Sequence, residues 1–64
     1  MERLKEYDKV RLMSGELGRI LEILAPSVFL AEIVRKGGGI DTTEINLTDI
    51  KSKFIEHEEP VNAL

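Results

Sequence analysis

Apolar and polar positions alternate along most of this chain with a period of two. In KVRLM (residues 9–13) Val10 and Leu12 fall on one face and Lys9 and Arg11 on the other, the pattern of a half-buried strand. SGEL (14–17) follows as a turn and GRILEILA (18–25) as the next strand. Pro26 and Ser27 interrupt it, because proline has no amide hydrogen for a ladder bond. VFLAEIVRK (28–36) is rich in β-branched and aromatic residues, which suit a pleated, packed surface. GGG (37–39) reads as a turn, and IDTTEINLT (40–48) alternates again, with Thr43, Ile45 and Leu47 on one face. TDIK (48–51) is expected to form a single helical or 3₁₀ turn, capped by Thr48 or Asp49. KFIEH (53–57) ends the series as a short strand.

No connection between these strands is long enough for a parallel crossover, so the expected sheet is antiparallel. Five short, strongly bent strands in a meander are expected to curl into a partly open barrel, which removes most free edges. MERLKEY (1–7) sets Leu4 and Tyr7 one helical turn apart. Seven residues are too few for an independent helix, so this stretch is expected to be a frayed or docked lead-in. EEPVNAL (58–64) reads as an exposed tail. With no internal repeat or linker, residues 1–64 are expected to form a single domain.

The pattern carries more apolar side chains than one barrel interior can take. In GRILEIL, Ile20 and Leu24 oppose Leu21 and Ile23; in VFLAEIV, Phe29, Ala31 and Ile33 oppose Val28, Leu30 and Val34. A β-bulge could redirect some of them. Leu4 and Tyr7 could cover others. Whatever remains would be an exposed apolar patch, the mark of a partner surface. Leu21, Ile23, Leu30 and Val34 are the expected contact residues, and self-association into a homodimer is the simplest form of contact.

Length and charge sharpen this reading. A chain of 64 residues buries only about 60% of its unfolded surface, so its own core is marginal and a partner subunit would help it. With no cysteine in the chain, disulfides and thiolate metal sites are excluded. Residues 1–36 carry seven basic and six acidic side chains, residues 37–64 two and six, which gives +1 and −4 and the overall −3. An acidic chain does not hold a phosphate backbone by bulk charge. No apolar run approaches the roughly 18 residues of a membrane helix, and the N-terminal residues lack the apolar region of a secretory signal. A cytoplasmic protein with no membrane contact is the expectation.

The stretch YDKVRLMSGELGRILEIL (7–24) resembles the opening of KOW-type and related SH3-like barrels. Asp8, Val10, Leu12, Gly15, Gly18, Ile20 and Ile23 occupy the places of their pattern: a small or acidic residue before an apolar strand, a glycine-bearing turn, then glycine and a second apolar strand. TTEINLTDIK (42–51) is similar to their last segment, where a short helical turn precedes the final strand. Several small bacterial domains of unknown function look like this over their whole length. The resemblance covers residues 7–57. It implies an all-β, five-stranded antiparallel SH3-like partial barrel with a short helical turn before the last strand. It also suggests nucleic-acid or ribosome contact, which here would fall to Lys9, Arg11, Arg19 and Arg35. On physical grounds Gly15 suits a positive-φ turn position, and Gly18 the place where the second strand bends over the first, with no room for a Cβ.

Candidate chemistry is sparse. His57, the only histidine, sits in EHEE (56–59). Neighbours on a strand point to opposite faces, so this run reads as a solvated acidic rim and not as a metal site. Asp41 and Glu44 fall on opposite faces of their strand, which argues against a carboxylate pair for acid–base work. Ser14, Ser27 and Ser52 lack a nucleophile-elbow setting. GELG (15–18) opens no helix and lacks the lysine of a phosphate-binding loop. The expected protein is a non-catalytic binding module without cofactor or metal, acting through protein–protein contacts. The alternative is a KOW-like nucleic-acid-binding domain.

Overall fold

The computed structural model describes residues 3–54 and shows an all-β protein. Its strands are β1 (Lys9–Leu12), β2 (Leu17–Ala25), β3 (Val28–Val34), β4 (Ile40–Asn46) and β5 (Ile50–Lys53), with one 3₁₀ turn (Leu47–Asp49) before the last. All pairings are antiparallel, in the order β4-β3-β2-β1-β5. The first four strands form a meander. The fifth departs from it and returns beside β1, curving the sheet into a partial barrel.

The alternation of the sequence maps onto this sheet. Val10 and Leu12 of β1, Ile20 of β2, Phe29, Ala31 and Ile33 of β3, Ile45 of β4 and Ile50 of β5 are buried together. Leu4 joins them from the lead-in. The described part of the lead-in, from residue 3, is docked and not helical: Lys5 N–H donates to Asp8 Oδ2 (2.8 Å), and Asp8 N–H to the Lys5 carbonyl (3.2 Å). Tyr7 N–H donates to the Ile20 carbonyl at 2.6 Å, with Tyr7 at φ +70°. That bend turns Leu4 inward and leaves the Tyr7 ring exposed.

The β1–β2 hairpin explains the first glycine. Gly15 N–H donates to the Leu12 carbonyl and Leu12 N–H to the Glu16 carbonyl, both at 2.8 Å. Gly15 has φ +96°, the left-handed position of a three-residue hairpin loop. Gly18 has a different reason. A Cβ there would lie 3.1 Å from the Glu32 carbonyl oxygen and 3.6 Å from Val10 and Ile33 side-chain carbons. Its tightest neighbour is thus β3, not β1.

The apolar excess in β2 is absorbed by two bulges. Ile20 pairs with Ala31 and Glu22 with Leu30, which leaves Leu21 as an extra residue. Ile23 pairs with Phe29 and Ala25 with Val28, which leaves Leu24 as a second. Each extra residue resets the alternation. Ile20 and Ile23, on opposite faces by simple counting, both come to lie on the core side, since side chains directly opposite in a ladder share a face.

The end of the chain differs most from the sequence pattern. The 3₁₀ turn occupies Leu47–Asp49 and not residues 48–51, and β5 begins three residues before the expected position 53. Asp49 does not begin the turn but closes it, its carboxylate accepting the Asn46 N–H at 2.9 Å. The chain is then free to extend at Ile50, which is buried opposite Leu12. Of the expected strand 53–57, Lys53 is in β5 and Phe54 follows it. The rest of that strand, His57 with its neighbouring glutamates, and the tail 58–64 lie outside the described residues.

Candidate functional site

Direct pairing fixes what each face of the sheet presents. On the face away from the core, Ile40, Val34, Leu17, Arg11 and Ser52 are successive partners across β4, β3, β2, β1 and β5. The next row is Thr42, Glu32, Arg19 and Lys9. A third row holds Glu44, Leu30 and Glu22.

The first row contains an apolar ladder in solvent. Leu17 is 40% exposed, Val34 46% and Ile40 66%. Residues opposite one another in a sheet have Cβ atoms about 4.5–5.5 Å apart, so these three side chains form one continuous strip. Leu30 lies on the same face, half-buried between Glu22 and Glu44.

The four expected contact residues therefore divide. Val34 and Leu30 share the outer face. Leu21 is half-buried at the first bulge. Ile23, 42% exposed, lies on the core side, where it lines an open groove of about 1140 Å³ with Leu4, Tyr7, Pro26, Phe29 and Leu47. Leu17 and Ile40, exposed in the same row as Val34, are not among the residues expected from the sequence. The signal available was their position as the apolar residues flanking the two glycine turns.

The four candidate cations divide too. Lys9 and Arg19 are direct cross-strand partners on the outer face, both exposed, with Arg11 in the adjacent row. Arg11 is held in place: its Nη1 donates to the Gly15 carbonyl at 2.8 Å, and its guanidinium carbon lies 5.4 Å from the centre of the Phe54 ring, within cation–π range. Arg35 does not join them. It follows Val34, so it projects to the opposite side of the sheet. There it donates through Nη1 to Glu16 Oε1 (2.8 Å) and through Nη2 to Asp41 Oδ2 (2.9 Å). The hydrogen bond to Asp41, aided by Glu16, outweighs desolvation and holds the Arg35 guanidinium above its ordinary pKa. Arg35 is a clamp between the β1–β2 loop and β4, with Ser14 Oγ also donating to Glu16 Oε1 at 3.0 Å.

Asp8 and Lys53 form a further pair at 3.3 Å, both partly buried on the core side. Among the described residues no three histidine, cysteine or acidic side chains gather into a metal-binding group, and no helix is long and apolar enough to cross a membrane. No protein-family model matches the chain, and no curated protein and no solved structure matches it either.

Proposed function

We propose that this chain is an SH3-like partial barrel that works as a non-catalytic protein-binding module in the cytoplasm, with the outer face of its sheet as the contact surface. The observation that carries the reading is the strip Leu17–Val34–Ile40, three large apolar side chains in register on one face and each at least 40% exposed. Contiguous apolar surface with a charged margin is what partner surfaces look like. The β5–β1 pairing after a 3₁₀ turn supports the SH3-like assignment. The test is retention of proteins from an extract of the native cells by immobilised wild type and by Val34→Lys and Leu17→Lys variants. Partners held by the wild type and lost by both folded variants support the reading. Equal retention by all three refutes it.

A second reading has its own observation. Lys9 directly opposite Arg19, with Arg11 in the neighbouring row, is a small basic cluster of the kind a KOW-like nucleic-acid-binding domain would use. Glu32, opposite Arg19 on its other side, weakens the field such a surface needs. Binding of a mixed-sequence RNA or DNA oligonucleotide that falls with salt would support this reading. Absence of binding at low salt would remove it.

A further inference from the structure

The outer face is divided by charge along the line between β2 and β3. Lys9, Arg11 and Arg19 lie on the β1–β2 side; Glu32 and Glu44 lie on the β3–β4 side. Glu22 on β2, beyond the first bulge, is the exception. Arg19 and Glu32 stand opposite each other in the ladder, yet neither makes an ion pair among the described residues.

We propose that this face is self-complementary and binds a second copy of the chain, sheet on sheet, about a two-fold axis parallel to the strands and midway between β2 and β3. The proposal rests on the protein-binding reading above and names its partner. A two-fold axis in that position exchanges β2 with β3 and β1 with β4 while keeping every row in place. Leu17 of one copy then stacks on Val34 of the other, and Val34 on Leu17. In the next row Arg19 meets Glu32 and Glu32 meets Arg19. Lys9 comes over Thr42, and Ile40 over Arg11. One rotation thus brings apolar against apolar at the centre of the first row and base against acid at the centre of the second, leaving Ile40 over Arg11 at the margin and Glu22 over Leu30 in the third row as its unmatched contacts.

The other in-plane axis does not. A two-fold perpendicular to the strands, set between the first two rows, keeps each strand over itself and exchanges the rows. It would lay Leu17 on Arg19 and Val34 on Glu32, burying charge against apolar side chains without a counterion. Like charges brought together also select against wrong arrangements. Aligned sheet packing with strands close to parallel is a common geometry for two sheets in contact, and an isologous interface of this kind closes as a dimer without polymerising.

The experiment is sedimentation of the full chain over a roughly hundredfold concentration series at low and moderate salt, with Arg19→Glu, Glu32→Arg, the double variant carrying both, and Val34→Lys. Each single reversal sets like charges against each other at two symmetry-related places, so each should weaken dimerisation about tenfold or more. The double reversal exchanges the two charges and should restore association to near the wild-type level. Val34→Lys should give a monomer. Circular dichroism and melting curves at one concentration establish that every variant is folded. A wild type that remains monomeric throughout overturns the assignment of the second copy, and so does a double reversal no better than the singles. Neither result bears on the retention experiment above, which decides the protein-binding reading independently.

Discussion

Gly18 and Glu32 approach so closely that a side chain on the first has no free space: a Cβ built on Gly18 would stand 3.1 Å from the Glu32 carbonyl oxygen. That oxygen belongs to β3, an interior strand of the sheet paired on both sides. It cannot retreat without loosening the ladder. The other two near atoms, on Val10 and Ile33, are fully buried core groups.

Gly18→Ala should therefore destabilise the domain, and Gly18→Val more so, by about 1–3 kcal/mol, as overpacking of a filled site generally does. A domain of this size has only about 3–10 kcal/mol in total. Urea unfolding followed by circular dichroism gives the values. A Gly18→Val protein as stable as the wild type would show that the approach of β2 to β3 is looser than described.

Most of the sheet was legible because one rule, alternation, controls it. Val10 and Leu12, Phe29, Ala31 and Ile33, and Ile45 are buried where a period of two puts them. The rule fails where a strand has too few apolar residues to display it. IKSK contains one, Ile50, whereas FIEH carries two and looks the better strand; only the pairing of Ile50 with Leu12 decides. The bulges left a trace in the sequence as an apolar excess, but not their positions, which depend on the length of β3 opposite. The faces of Arg35 and Ile23 were illegible for a related reason. Arg35 finds Glu16 and Asp41 through the hairpin geometry, and Ile23 changes sides because Leu21 is extra.

That role of Leu21 can be tested by deletion. The ladder runs from the Ile20–Ala31 pair to the Glu22–Leu30 pair with Leu21 outside it. Removing Leu21 should leave Ile20 inward, Glu22 outward and Ile23 inward, with every pairing intact. The deletion protein should fold, and its amide-proton spectrum should keep the dispersion of the wild type. Deleting Glu32 from β3, which has no bulge, would slip the register against β2 and β4 at once and should abolish folding, because a one-residue slip moves core side chains to solvent. If the Leu21 deletion unfolds while the Glu32 deletion does not, the bulge is misplaced.

Tyr7 holds a left-handed backbone conformation, φ +70°, although 67% of its surface is exposed. Such a conformation costs a residue with a side chain about 1–2 kcal/mol, and little packing is lost on removing this ring. Its N–H bond to Ile20 is a backbone contact that glycine retains. Tyr7→Gly should thus be neutral or stabilising by up to about 1 kcal/mol, the two backbone effects of glycine working against each other. Thermal melts decide it, and a marked loss of stability would mean that the ring packs over the groove beside Leu4 and Ile23.

Arg35 reaches two carboxylates from different parts of the chain, Glu16 before β2 and Asp41 in β4. The clamp is largely at the surface, and exposed ion pairs contribute little individually and are screened by salt. Its effect is expected to be local: it holds the β1–β2 loop against β4 across the end of β3. Arg35→Ala should lower the melting temperature slightly in dilute buffer, and by less at high salt, where the repulsion left between Glu16 and Asp41 is screened. Hydrogen exchange should show the larger change, with faster exchange at the Leu12 and Gly15 amides of the hairpin loop and little change at Ile20, whose amide bonds to the Asp8 carbonyl away from the clamp. Arg35→Lys supplies the charge without the forked donor geometry and should recover only part of the protection. Uniform acceleration over the whole sheet would mean instead that Arg35 supports global stability, and an unchanged loop would mean that the two ion pairs restrain nothing.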